Sequence, residues 1–478
     1  MVELLITGGT IITMDADRQV IDDGAVAVDQ GRIVSVGTRE ALASKYQAER
    51  IIDARRKVVL PGLIDSHAHA GHGLVKTLGG GDSDAWYRAV ATIYTEGSTE
   101  DFWYAEALLS ALERLKCGTT TGVSYFGGGD NMMRTDDPAY GRRHCEAVQA
   151  VGIRNFLAVG PGRPPFPQKF SRWNGDSRRD QMITFEDQLA TCETLIQEWH
   201  GKTEGRIHIC LAFPTPRPDA AAYTGTALDE LKGQARATRD LSEQYDVLFT
   251  MDGHRQGTIK FTHEALGILG SDAFLSHCID LTAEEIQICR DTGTRVVHNP
   301  SAVYSIMGRC PVPELLDAGV IVMLGSDGTA PDRSYDMFRH MWQCMHYQRT
   351  FYHDASYLPP GKVLEMVTID AARGLGLADE IGSLEAGKRA DIILVDLFKP
   401  HTYPLNMPVY RTVCFAGGAD VDTVIVDGQI VMEKRVVQTV NEAEVLELAQ
   451  RETEAMLDRT GLRPLLETPD RFWKHSRY

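Results

Sequence analysis

The feature that most constrains this chain is a recurrent alternation: eight short, strand-like apolar runs, each separated from the next by a helical stretch. They fall at 58–67, 119–126, 154–160, 206–214, 247–254, 273–278, 294–298 and 320–326. Val58, Val59, Leu60, Leu63 and Ile64 make a nearly continuous apolar run, as in a strand buried on both faces of a parallel sheet. FWYAEALLSALERLKCG (102–118) has the period of an amphipathic helix and closes on Gly118, a suitable residue just past a helix end. Parallel strands need crossovers of this kind, and eight βα units are the number that closes a TIM barrel.

The two ends of the chain read differently. ELLITGGTIITMD is two strand patterns around Gly8-Gly9, and GAVAVDQGRIVSVG is a hairpin around Asp29-Gln30-Gly31. Strand patterns return in ADIILVDL, TVCFAGG and VDTVIVDGQIVMEKRVV. The expected organisation is therefore α/β. A (β/α)8 barrel spans 58–384, a small composite β domain is built from 1–57 and 385–440, and a charged helical arm follows over 441–478.

Charge narrows the partners. Lys and Arg number 49 against 66 Asp and Glu, a net charge of −17, and no basic stripe occurs. Nucleic acid and anionic membranes are thus not expected as main partners; a small molecule is. The nine cysteines are odd in number and include no CxxC pair, which reads as free thiols in a reducing cytoplasm. The first residues, MVELLITGG, lack a basic region and look like a strand instead of a signal peptide. No apolar run approaches the length of a membrane span.

PGLIDSHAHAGH (61–72) crowds three histidines into six positions. Residues two apart in an extended segment point the same way, so His67 and His69 share a side just beyond the first apolar run. Neutral imidazole is the commonest protein ligand for zinc and similar ions. His72 breaks the period and is expected in the loop, facing substrate or structural. Other strand ends offer Asp252 and His254, which share a face, then His277, His298 and Asp327. Singly, a histidine at a strand end is more often a hydrogen-bonded structural residue, and Asp327 in GSDG could simply cap a turn. Jointly, HxH, a later histidine and a final aspartate make a three-nitrogen, one-oxygen set with room for water. Such an open site suits hydrolytic metal catalysis.

Longer stretches extend this pattern: TGGTIITMD, VVLPGLIDSHAHA, CGTTTGV, LSHCIDLTAEEI, VVHNPSAVYSIMGRCPVPELLDAGVIVMLGSDG, TIDAARGLGLADEIGSLEAGKRADIILVDL and VIVDGQIV. With them the chain resembles the amidohydrolase superfamily over nearly its whole length. The branch resembled contains cytosine deaminase, guanine deaminase, S-adenosylhomocysteine deaminase and the triazine hydrolases. The resemblance implies a distorted (β/α)8 TIM barrel with a composite β-sandwich from both termini. It implies His67 and His69 as metal ligands, and Asp327 as a ligand that also accepts a proton from the attacking water. It implies His277 beside the metal, polarising the substrate or the water. The fourth run, HICLAFPTP, offers no lysine to bridge two ions, so one divalent metal per chain is expected. Zinc is the first choice, and iron, cobalt and manganese also suit nitrogen and oxygen donors. The resemblance further implies a homodimer or higher homo-oligomer.

The fifth strand departs from the family. Its deaminases and triazine enzymes carry His-x-x-Glu there, whereas this chain has TMDGHRQG. One register puts Asp252 at the ligand position and Arg255 at that of the glutamate. A two-residue shift puts His254 and Gly257 there. His254 is preferred as ligand because neutral nitrogen fits the family's site, with the other residue as its orienter. Arg255 is open between a substrate clamp and a surface residue. Both registers lose the glutamate that protonates a ring nitrogen. The expected reaction is therefore hydrolysis of an amide, urea or carbamate C–N bond, in the manner of relatives that cleave phenylurea or thiocarbamate (molinate-type) herbicides. The alternatives are deamination of a purine, pyrimidine or triazine and, more distantly, an inactive scaffold. Phe166, Phe170 and Trp173, in a long loop after the third strand, are expected either to line an aromatic mouth or to pack between loops.

Overall fold

The structure, a computed structural model, describes the chain except residues 129–131, 218–222, 303, 471 and 477–478. Eight parallel strands follow one another in chain order around one sheet: Leu63–Asp65, Thr119–Tyr125, Arg154–Val159, Ile207–Ala212, Phe249–Met251, Ala273–Ser276, Arg295–His298 and Val322–Leu324. Helices occupy the crossovers, among them Glu100–Lys116, Pro138–Val151, Phe185–Trp199, Thr226–Tyr245 and Ala283–Thr292. Their starts are written locally. The Thr99 hydroxyl accepts from Phe102 N–H, and Thr184 with Asp187 and Thr282 with Glu285 close reciprocal capping boxes.

The barrel is distorted where its eighth and first strands meet. At their C-terminal ends Ser66 N–H donates to Leu324 O (3.0 Å) and Asp327 N–H to His67 O (2.9 Å). At the other end the backbone of Met366 and Val367 comes between them, accepting from Leu324 N–H (3.1 Å) and Ile64 N–H (2.8 Å).

Both ends of the chain build a second, nine-stranded sheet with its own apolar core of Leu4, Ile6, Val26, Val59, Ile392 and Ile425. The first expected barrel run, 58–67, is split between the two sheets. Lys57–Pro61 pairs with Val2–Ile12 and Ile392–Asp396 in the nine-stranded sheet, and only Leu63–Asp65 belongs to the barrel. Gly62 makes the crossing. A Cβ there would sit 2.1 Å from Thr120 Oγ1, so any side chain would force the two segments apart. An apolar run carries no mark of which sheet it enters, because both bury it on both faces.

The long segment after the third strand is a β-ribbon, Gln168–Asn174 against Ser177–Ile183. Its signal was in the sequence: Asn174-Gly175 between alternating residues, with Gly175 at φ 57°. The C-terminal helix Glu442–Thr460 lies along Glu100–Lys116, with a Lys116–Glu442 ion pair at 2.5 Å and Arg459 Nε donating to Gly97 O at 2.8 Å.

His144, on the helix Pro138–Val151, is buried, and that burial pushes its pKa down to about 3. Below pH about 6.5 the unfolded chain gains a proton at this site that the folded chain refuses, so stability falls as pH falls from about 6.5 towards 3. Replacing His144 with Gln should flatten urea-derived stability against pH in that window by up to about 1.4 kcal/mol per pH unit. Parallel curves for parent and variant would show that His144 does not carry this linkage.

Candidate metal centre

Asp65 ends the first barrel strand and is fully buried. Its carboxylate accepts from Ser326 N–H (2.8 Å), from the Ser326 hydroxyl (2.8 Å) and from Arg114 Nε (3.0 Å). Arg114, on the helix Glu100–Lys116, also donates to Ser124 Oγ (2.9 Å) and Val123 O (2.8 Å), with its guanidinium over the Tyr335 ring. The Tyr335 hydroxyl donates to His69 O at 3.2 Å. These bonds fix the end of strand eight against the end of strand one, and so place Asp327 beside the two histidines.

Five side chains converge there. His67 Nε2 is 3.3 Å from Asp252 Oδ1 and 3.9 Å from Asp327 Oδ1. His69 Nε2 is 3.1 Å from Asp327 Oδ1 and 3.3 Å from Asp252 Oδ2, and His277 Nε2 is 3.0 Å from Asp252 Oδ1. Two overlapping trios, His67–Asp252–His277 and His67–His69–Asp327, have the spacing of metal-donor groups, and all five residues are buried. Gly127 O lies 2.7 Å from His69 Nδ1, so the ring donates there and leaves Nε2 as the donor atom towards the cluster. His277 and Asp327 hold left-handed backbone conformations, φ 68° and 60°, of the kind concentrated at functional sites.

Burial opposes charge on these groups, but their mutual attraction overrides it. Asp252 is held well below the usual carboxylate range by His67 and His69. His69 is raised to about 10 by Asp252 and Asp327, and Asp327 is lowered by Arg333 and His69. Arg333 Nη2 lies 3.8 Å from Asp327 Oδ2.

The residues fit a divalent ion. Both ring nitrogens of His67 are buried without a hydrogen-bond partner, His69 Nε2 is presented by its Nδ1 bond, and two carboxylates supply anionic oxygen.

The structure does not bring the expected fifth-strand ligand into the cluster. His254 joins neither trio; its Nδ1 lies 2.9 Å from Thr258 Oγ1, and burial lowers its pKa to about 3. Asp252 stands in the cluster instead. The shared-face expectation fails because the strand ends at Met251 and Gly253 takes φ 89°, which breaks the two-residue alternation before His254. Arg255 is exposed, with its backbone bridged to Ile279.

His72 is not among the donors. Its ring stacks on His69 with centroids 4.8 Å apart, and a Cβ at Gly328 would collide with it. His298 is buried at the end of strand seven but joins neither trio, and His340 is held by Ser301 and Ser334 O. Sequence reasoning missed Ser276, whose hydroxyl donates to Asp252 Oδ1 at 2.5 Å, and Tyr304, whose ring stacks on His277 at 4.3 Å. Ser276 directly precedes His277 on a recognised strand end, so its place was legible; nothing marked Tyr304.

The aromatic residues after strand three pack between segments. Phe166 meets Phe185 edge-on, Phe170 is buried near Arg134, and Trp173 Nε1 donates to Glu96 O at 2.6 Å. A cavity of about 270 Å³ lies between the segments after strands three and four, lined by Arg163, Thr215, Arg217 and Tyr223 among others.

A buried nitrogen and oxygen donor cluster at the C-terminal ends of barrel strands defines a metal-dependent barrel hydrolase. The chain belongs to the amidohydrolase family, whose model, described as "Amidohydrolase family", matches residues 58–431. A model of a bacterial imidazolonepropionase-like composite domain matches residues 24–46. The chain is 32% identical over 454 residues to a 5-methylthioadenosine/S-adenosylhomocysteine deaminase of Syntrophobacter fumaroxidans, covering 93% of this chain and 96% of that one. It is 29% identical over 469 residues to a 5'-deoxyadenosine deaminase of Methanosarcina mazei, covering 96% and 100%. A zinc-bound adenosine deaminase from Xanthomonas campestris shares the fold with a TM-score of 0.80 at 22% identity, over 96% and 99% of the two chains. A zinc-complexed atrazine chlorohydrolase from Arthrobacter aurescens does so at 0.74 and 22%, over 94% and 100%. This chain is a metal-dependent hydrolase of carbon–nitrogen bonds. Among the described residues no helix is long and apolar enough to cross a membrane.

Replacing Arg114 with Met would leave Asp65 buried without its counter-charge. Such a loss costs about 3–5 kcal/mol in general, and urea unfolding should show a drop of that order. A drop under about 1 kcal/mol would mean that Ser326 alone holds Asp65.

Proposed function

We propose that this chain is an aminohydrolase that releases ammonia from an amino-substituted purine nucleoside or a related heterocycle. The observation that carries this reading is its near full-length likeness to proteins named as deaminases of methylthioadenosine, S-adenosylhomocysteine and 5'-deoxyadenosine. That likeness weighs against the amide, urea or carbamate hydrolysis expected from the missing glutamate.

His67, His69, Asp252 and Asp327 would hold the metal. A divalent ion held there would supply a water of lowered pKa and Lewis-acid polarisation of the substrate. Asp327 takes the proton of that water and passes it to the departing amine. Its Oδ1 accepts from Gly328 N–H at 2.7 Å, which fixes the carboxylate's orientation. His277 Nε2 faces the same space and polarises the substrate, with its ring held by Tyr304 stacked against it. Arg333 compensates charge at Asp327 from the loop beyond strand eight.

A second reading, amide or urea hydrolysis, is favoured by one observation. The stretch 252–257 contains a single carboxylate, Asp252, and it is taken up by the donor cluster. No acid there is left to protonate a ring nitrogen.

The two readings separate in a release assay on purified, metal-loaded protein. The panel is 5'-deoxyadenosine, methylthioadenosine, S-adenosylhomocysteine, cytosine, aryl ureas and anilides. Ammonia from a nucleoside supports the deaminase. Organic amine from the ureas or anilides, with no ammonia, replaces it with the second reading. His67→Ala should lose bound metal, and Asp327→Asn should lower turnover by a factor on the order of 10²–10⁴ through loss of proton transfer. Unchanged turnover in the latter would remove Asp327 from its role.

A further inference from the structure

The donor set itself departs from a histidine-dominated zinc site. Asp252 is the side chain that touches the most others in the cluster. Its Oδ1 lies within 3.3 Å of His67 Nε2 and 3.0 Å of His277 Nε2, and its Oδ2 within 3.3 Å of His69 Nε2. It is positioned from behind: Ser276 Oγ donates to its Oδ1 at 2.5 Å, and Gly253 N–H donates to Ser276 Oγ at 3.4 Å. A carboxylate so buried and so tethered is built into the site and is not a solvated side chain that wandered in.

We propose that Asp252 shifts the ion preference of this centre away from zinc and towards manganese(II) or iron(II). The inference rests on the metal-dependent reading above and deepens it by naming the ion class.

Three lines of chemistry converge on it. First, Asp252 and Asp327 together carry two negative charges, which balance a divalent ion; a histidine at position 252 would leave one. Second, carboxylate oxygen suits manganese, and mixed imidazole and carboxylate sets with open positions suit ferrous iron. Third, the four residues that would hold the ion are two imidazoles and two carboxylates, so half of the donor side chains offer oxygen. Two histidines and one carboxylate with open positions are the set that suits ferrous iron, and a second carboxylate moves the donors further towards oxygen.

The test uses metal-stripped, full-length protein and reads binding, not turnover. Zinc and manganese affinities are measured by competition titration, with free manganese followed by its electron paramagnetic resonance signal. Zinc binds more tightly than manganese to most sites of this kind, so the ratio of the two affinities is the quantity that decides. Asp252→His should raise the zinc-over-manganese ratio by about tenfold or more. Asp252→Asn, which keeps the shape and removes the charge, should weaken manganese by a larger factor than zinc. The inference is overturned if both variants keep the parent's ratio while the parent binds one ion per chain; the metal-dependent reading would then stand. A parent that binds neither ion would overturn both.

Discussion

A buried carboxylate at the end of the first barrel strand holds this structure in its working form. Asp65 ties the chain ends of strands one and eight through Ser326, and Arg114 supplies its counter-charge from the covering helix. At the seam between those strands the ladder is interrupted, because Met366 and Val367 separate them at the far end. The Asp65 tether adds side-chain bonds to the two backbone bonds, Ser66 N–H to Leu324 O and Asp327 N–H to His67 O, that hold the segments carrying His67, His69 and Asp327 in register. Burying an ion pair is costly, and it is sustained here because each polar atom finds a partner.

The fifth strand shows how one backbone turn decides chemistry. Gly253 adopts a left-handed conformation directly after Asp252, which sends His254 to Thr258 and leaves Asp252 alone to face the histidines. The cluster therefore holds two carboxylates, with His69 and Arg333 as partners of Asp327. A bound divalent ion would take over that balance.

Family membership and substrate are resolved at different depths. The barrel, the donor cluster and the match over residues 58–431 agree on a metal-dependent amidohydrolase. The deaminase reading comes from full-length relatives, yet the short stretch after strand five carries an exposed Arg255 at the position that one register of the family pattern gives to a glutamate. The relatives and the local chemistry thus pull the substrate in different directions, towards a heterocyclic amine and towards an acyl-like carbon.

The sequence by itself determined the eight-fold βα rhythm, the β character of both ends, and the convergence of His67, His69, His277 and Asp327 at strand ends. These follow from local rules: alternation, helical period and residue type at a strand terminus. Tertiary structure decided the rest. Whether Val58–Leu60 enters the barrel or the nine-stranded sheet depends on partners more than 300 residues away in Ile392–Asp396, which no local pattern encodes. The choice between Asp252 and His254 turned on the backbone dihedral of Gly253, a conformation glycine permits without requiring. Tyr304 reached His277 only because the seventh and sixth strand ends are neighbours in the closed sheet. Contacts of this kind arise from the meeting of segments distant in sequence, and so only the folded chain contains them.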